Sequence, residues 1–287
     1  MNEISLSVPV RDSMSKELSA RKQVDPYLLI KGEAVEEVRK LPDHSVDLVL
    51  TDPPFNHETE HYDTRQTKFL SASMKSFADF AIMRGYFAEF SKEVYRVLKP
   101  KGRVLVFCDC SSYPIFWASF YGYWNHIRAL IWYKGKGYFS LGVNQAFRYS
   151  YEMILHCFNT DSWFDPSQRQ DVITNTNVPS NQRLHPAQKP IDLLMKLIIA
   201  TCPPNGTILD PYCGSGSTLL AAKHLNRKGI GIDANPDFIE IAKTRLTTVS
   251  SKLETFEPDC PTTYKESGSP LPKSSSTQEI PSEAKTQ

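Results

Sequence analysis

At 287 residues and 40% hydrophobic content the chain can bury one large core or two smaller ones, and a net charge of +1, from 33 Lys and Arg against 32 Asp and Glu, gives no ground to expect a generic polyanion binder. No apolar run approaches the roughly 18 residues of a spanning helix, and Met1–Arg11 carries Glu3 without the apolar stretch of a secretory signal, so no membrane association is expected. None of the six cysteines forms a C-x-x-C pair, so no metal site is expected, and reduced thiols in a cytoplasmic protein are.

Residues 1–25 are polar, aperiodic and neutral in charge, and read as a flexible N-terminal segment. Val46–Leu50 is an apolar strand that runs into Thr51-Asp-Pro-Pro-Phe55. Phe80–Leu98 has helical spacing, Lys99–Gly102 makes a turn, and Arg103–Cys108 and Ile127–Trp132 are strands. Tyr151–Cys157 is another apolar run. Pro190–Ala200 opens with proline in its first turn and continues as an apolar helix. Thr207–Leu209 is a short strand, Ser217–Leu225 a helix and Gly229–Ile232 a strand, and Asn235-Pro236 caps and opens a last helix. Residues 248–287, rich in Ser, Thr, Pro, Glu and Lys, bury too little to offset their ordering entropy and read as a disordered tail. From Val249 onward the tail carries −2, which leaves +3 on the middle, compatible with a nucleic-acid footprint. Strands alternating with helices predict an α/β protein whose mostly parallel, doubly wound sheet is covered on both faces.

The segment 207–233 carries the most chemistry. A strand runs into Asp210-Pro-Tyr-Cys-Gly-Ser-Gly-Ser-Thr218 and a helix follows, with Gly214 and Gly216 permitting close backbone approach to a ligand. Asp233 ends the next strand, where a doubly wound sheet sets a carboxylate against ribose hydroxyls. Leu219 stands at the third-glycine position of a dinucleotide loop, so nothing demands a pyrophosphate. A ligand with a ribose and no pyrophosphate, such as S-adenosylmethionine, fits; a plain strand–helix turn is the alternative.

Asp52-Pro53-Pro54-Phe55 follows its strand directly. Two prolines withhold two backbone donors and leave carbonyls free to accept, between a carboxylate and an aromatic ring. An aromatic amine is a poor nucleophile because its lone pair is delocalised. A carboxylate and a carbonyl that accept its two N–H bonds favour pyramidal nitrogen and free that pair, and Phe55 could stack on the base. An ordinary strand-ending turn is the alternative.

The two motifs together resemble the permuted "beta" group of amino-methylating DNA methyltransferases, in which the D-P-P-aromatic motif precedes the cofactor loop. Leu28–Pro54, Glu93–Phe107, the segment Trp132–Leu155 with Trp132, Lys134, Arg148 and Glu152, and His185-Pro-Ala-Gln-Lys-Pro190 resemble further family segments. The resemblance spans about 26–247, which is taken as the catalytic domain. It implies a Rossmann-like S-adenosylmethionine-dependent fold with permuted motif order. It further implies transfer of the cofactor's methyl to an exocyclic amine of a flipped base in double-stranded DNA, adenine N6 on the family pattern and cytosine N4 as the alternative. Asp52, Pro53, Pro54 and Phe55 would hold the base. Asp210, Tyr212, Cys213, Gly214 and Gly216 would line the cofactor's amino acid end, Asp233 its ribose, and His185 and Lys189 the adjacent wall. Glu33, where Asp is common, would lie near the adenine ring. The resemblance also leaves room for a cognate restriction endonuclease, a monomer or homodimer, and a cytoplasmic enzyme that acts at the nucleoid.

No acidic residue occurs between Asp109 and Glu152, a stretch that holds Arg128, Lys134, Lys136 and Arg148 among aromatics. Charge attracts phosphate and aromatics can stack on exposed bases, though many of those rings are expected in the core. Lys134, Lys136 and Arg148 are the first DNA-contact candidates. Arg169 and Arg183 follow, in the short polar segment 158–184 where the family places target recognition. A protein- or RNA-directed methyltransferase, a non-catalytic nucleic-acid-binding module with a degenerate fold, and a nicotinamide oxidoreductase are the rivals. Motif order argues against the first, the intact Asp52, glycines and Asp233 against the second, and the DPPF motif against the third.

Overall fold

The computed structural model describes residues 26–54, 77–135, 150–179, 181 and 188–248. Eight strands form one sheet: β1 (Tyr27–Lys31), β2 (Val46–Thr51), β3 (Leu98–Cys108), β4 (His126–Tyr133), β5 (Tyr151–Phe158), β6 (Val172–Thr174), β7 (Thr207–Asp210) and β8 (Lys228–Asp233). They lie in the order β1-β8-β7-β2-β3-β5-β4-β6. Every pairing is parallel except the two made by β5, which runs against β3 and β4. Six described helices connect them: α1 (Ala34–Lys40), α2 (Phe77–Val97), α3 (Tyr113–Phe120), α4 (Ile191–Thr201), α5 (Ser217–His224) and α6 (Pro236–Thr248). None is long and apolar enough to cross a membrane.

Side-chain alternation along the central strands builds two cores. Val49, Val104, Val106, Leu155 and Leu209 pack with Val38 of α1, Phe87, Phe90 and Val94 of α2, and Phe116 and Phe120 of α3. Their neighbours Leu48, Leu50, Leu105, Phe107 and Ile208 face the other way, onto Leu193, Leu194, Leu197 and Ile198 of α4 and Ala221 and Ala222 of α5. With both faces covered, Leu48–Leu50 of β2 and Val104–Cys108 of β3 read as unbroken apolar runs, and the expected doubly wound α/β sheet is what forms. The five described cysteines are all free thiols.

Several expectations shift. The turn at Lys99–Gly102 is a bulge inside β3: Val46 faces Leu98 but Leu48 faces Arg103. Pro190 sits at the N-cap of α4, one residue before the helix. Strand β1 and helices α1 and α3 also appear, although the sequence did not mark them as elements. α3 (YPIFWASF) is apolar almost all round, so it shows no stripe of helical period. The three-residue β6 is too short for alternation to register.

Candidate active site

Chain order and sheet order part company between β7 and β2. From β7 the chain crosses outward to β8, and from β2 to β3, so the carboxyl ends of β7 and β2 flank the point where a doubly wound sheet opens a crevice. Asp52 directly follows β2 and Asp210 ends β7. Thr51 Oγ1 donates to Asp210 Oδ1 at 2.7 Å across that point, so the DPP segment and the glycine loop are tied side by side.

On the β7–β8–β1 side the loop 210–216 is built around carboxylates. Asp210 is 4% exposed and points inward. It accepts from Thr51 and from the Tyr212 N–H at 3.2 Å, and burial pushes its carboxyl up to about 6. Gly214 and Gly216 have φ of 49° and 77°, left-handed values that glycine adopts without strain. A Cβ on Gly216 would come within 2.8 Å of Ala242 Cβ, so glycine also lets α6 pack against the loop. Asp233 Oδ2 accepts the Gly214 N–H at 2.9 Å and its Oδ1 the Asn235 N–H at 2.8 Å, while burial holds its carboxyl above the ordinary value. Lys31 pairs with Asp233 in the β1–β8 register, which brings Glu33 to the same edge.

Two residues expected to touch a cofactor already have partners within the chain. The Cys213 side chain turns into the interior against Leu219 and Leu246, and its N–H bonds Ile232, because Gly231 leaves a space that the sulfur fills. Glu33 caps α1 by accepting from the Glu36 N–H at 2.8 Å, and its second oxygen takes the Tyr86 hydroxyl at 2.7 Å. Tyr86 and Tyr212 share a hydroxyl hydrogen bond of 2.6 Å, so Tyr212 faces α2 at this edge. Helical spacing placed Tyr86 on α2, but nothing local marked it as a partner of Glu33.

On the β2–β3–β5–β4 side lies a row of charges. Lys189 Nζ hydrogen-bonds Asp52 Oδ2 and lies 3.4 Å from Glu152 Oε2, while Glu152 Oε1 pairs with Lys134 Nζ. Burial, the largest influence, pushes the Asp52 carboxyl above its ordinary value against the pull of Lys189. Burial would raise Glu152 as well, but Lys189 and Lys134 bring it below. Lys189, expected on the cofactor wall, is thus on Asp52. Lys134, expected on phosphate, has its ammonium on Glu152 because the β4–β5 register sets Trp132 opposite Glu152 and Lys134 one step beyond the strand. The sequence did hold a signal for Glu152: it is the first acid after Asp109 and opens an apolar strand.

The segment 158–184 starts at the far edge. Arg103, just after the bulge in β3, donates to the carbonyls of Trp163 and Ser162, and the Trp163 N–H bonds the Lys101 carbonyl. The chain then climbs past exposed Arg169 into β6, beside β4, and returns to the Asp52 edge only at Asn175, whose carbonyl accepts the Trp132 indole N–H at 2.7 Å. Phe55, Lys136, Arg148, Arg183 and His185 lie outside the described residues.

A DNA methylase family model of the N6/N4 type matches residues 46–244. The chain belongs to this N6/N4 DNA methylase family. The N6/N4 methylase is 30% identical to the Type II methyltransferase M.HpaI of Haemophilus parainfluenzae over 256 residues, 80% of this chain and 77% of that protein. It is 25% identical to the Type II methyltransferase M.HinfI of Haemophilus influenzae, covering 80% and 70%. The fold resembles that of the PvuII DNA methyltransferase (cytosine-N4-specific), with a TM-score of 0.62, 18% identity and coverage of 79% and 90%. A complex of M1.HpyAVI with S-adenosylmethionine gives 0.56, 22%, 77% and 98%. The N6/N4 methylase is therefore a DNA amino-methyltransferase that uses S-adenosylmethionine as methyl donor. The residues present suit that donor: Asp210 and Asp233 make no ion pair with a described residue, and such carboxylates favour a cationic ligand that bears ribose hydroxyls.

Proposed function

We propose that this methylase transfers the methyl group to adenine N6 in double-stranded DNA, on a base turned out of the duplex, at a specific recognition sequence. The observation that carries the reading is the Thr51–Asp210 hydrogen bond, which fixes the DPP segment beside the cofactor loop at the sheet's switch point. Bound S-adenosylmethionine supplies a methyl group on a sulfonium, an electrophile that needs an aligned lone pair. Asp52 would accept one N–H of the target amine and the Pro53 carbonyl the other, which favours pyramidal nitrogen. In its carboxylate form Asp52 would also take the proton that the methylated nitrogen sheds. Gly214, Gly216 and Tyr212 would bound the cofactor's amino acid end and Asp233 its ribose. A buried amine inside an intact duplex is out of reach, so the base must be extruded.

The choice of adenine rests on the family pattern of Asp at the first motif position. The similarity to Type II methyltransferases supports a place beside a restriction endonuclease of the same recognition sequence, in the cytoplasm at the nucleoid. The test is incubation of the full chain with unmethylated genomic DNA and tritiated S-adenosylmethionine, followed by digestion to nucleosides and mass spectrometry. N6-Methyladenine is expected. N4-Methylcytosine alone would overturn the base assignment, and label in RNA or protein but not in DNA would overturn the DNA reading.

A further inference from the structure

Asp52, Lys189, Glu152 and Lys134 alternate in sign and come from four places in the chain: the end of β2, the residue before the α4 N-cap, the start of β5 and the residue after β4. Their side chains are only 11–23% exposed. Lys189 Nζ lies 4.9 Å from the centre of the Phe107 ring and Lys134 Nζ 4.8 Å from that of Trp132, so aromatic faces floor the row. A buried row of charges is a poor stabilising device, because desolvation offsets most of the attraction. One contact in it is incomplete. Glu152 Oε2 is buried and takes no well-formed hydrogen bond from a described residue: the Lys189 ammonium stands 3.4 Å away, at ion-pair distance, with its short hydrogen bond on Asp52.

We propose that Lys189 and Glu152 are positioning residues for methyl transfer: Lys189 fixes Asp52 as an oriented carboxylate, and Glu152, with its open Oε2 behind the ammonium, draws Lys189 back so that Asp52 keeps its strength as an acceptor. This deepens the assignment of Asp52 to the target amine and rests on it. A protonated Asp52 cannot accept the amine hydrogen or its proton, so transfer depends on the balance between the two neighbours. Burial and Glu152 favour the neutral acid; Lys189 and, more weakly, Lys134 favour the carboxylate. Among the described residues two further titratable groups face Asp52. Asp210 is pushed up to about 6 by burial, and the Cys108 thiol is held neutral by burial. Both are common to every variant below.

The inference fixes opposite signs for two charge-removing changes. Single-turnover methyl transfer to genomic DNA is followed from pH 5 to 9 with the full-length protein. Lys189→Gln moves the acid limb to higher pH and Glu152→Gln moves it to lower pH. On the steep part of the limb each changes the rate by roughly three- to tenfold, since one pKa unit is tenfold in the ionised fraction. Lys134→Gln moves it in the direction of Lys189→Gln but less, and Lys189→Arg restores most of the wild-type profile. A merely structural role would lower the rate at all pH values without moving the limb. The same signs are read without activity from the side-chain carboxyl ¹³C titration of Asp52, assigned by its loss in Asp52→Asn. Absence of methyl transfer by the wild type would thus count against the functional reading and leave this test in force. Should Lys189→Gln fail to fold, Glu152→Gln, which keeps its shape, carries the test alone. Limbs and titrations that stay put, or move in the same direction for Lys189→Gln and Glu152→Gln, overturn the inference.

Discussion

Three carboxylates at the same sheet edge differ in what surrounds them, and their variants separate accordingly. Asp52 meets lysine, whereas among the described residues Asp233 meets only backbone N–H groups. Asp52→Asn is expected to lower transfer by roughly 10²–10⁴-fold with the cofactor dissociation constant unchanged in calorimetry. Asp233→Ala is expected to weaken cofactor binding by about 1.5–3 kcal/mol, the worth of hydrogen bonds to a charged group. If the two variants exchanged these phenotypes, both assignments would fall. Asp210 is different again, because its raised carboxyl makes it a cost to the fold. Its native value of about 6 exceeds the ordinary 3.8, so the stability it contributes is present below about pH 4 and lost as pH rises through 6. The difference corresponds to about 3 kcal/mol at neutral pH. Asp210→Asn keeps an acceptor for Thr51 and Tyr212 but cannot ionise. Its melting temperature relative to wild type is therefore expected to rise between pH 4.5 and 8, and a difference independent of pH would refute the account.

At the scale of elements, the glycine loop is positioned as much by α6 as by β7. Arg245 of α6 donates to the Ser215 carbonyl at 2.6 Å and to the hydroxyls of Ser215 and Ser217, and Ala242 lies against Gly216. Gly216→Ala would combine a left-handed φ with a Cβ contact of 2.8 Å. Denaturant titration is expected to show a loss of about 2–4 kcal/mol, together with weaker cofactor binding. A neutral result would mean that α6 moves away from the loop at little cost. The antiparallel β5 plays the same part on the other side. Because it descends from the active edge, its first residues lie beside the last residues of β4, and this puts Glu152 within reach of Lys134.

For the whole molecule, a single sheet carries both motifs, with the DPP segment ahead of the glycine loop in the chain. β2 and its DPP segment come first, yet β7 and its loop lie next to it in the sheet, so the permutation leaves the site's geometry intact. Activity is then expected to require the sheet and its covering helices and not the polar extremities. Deletion of residues 255–287, which hold no packable pattern, is expected to leave both the melting temperature and the transfer rate within experimental scatter of the full chain. A marked fall in either would show that the tail docks or contacts DNA.

The sequence by itself determined the α/β class, the central strands and the two motifs. Runs such as VDLVL and RVLVFC, and a glycine loop between strand and helix, follow from local chemistry: side-chain alternation, backbone freedom and turn residues. It did not determine which charge answers which. Lys189 was placed on the cofactor wall by the resemblance and Lys134 on phosphate by its charge, and neither reading can show which residue a lysine meets. Their partners, Asp52 and Glu152, lie 137 and 18 residues away. Cys213 and Glu33 were assigned to the cofactor by resemblance, which could not show that the Cys213 sulfur fills the space beside Gly231 and that Glu33 also caps the first turn of α1. Register and strand order settle such pairings, and both are set by the burial of two sheet faces at once, a condition that no local stretch of chain contains.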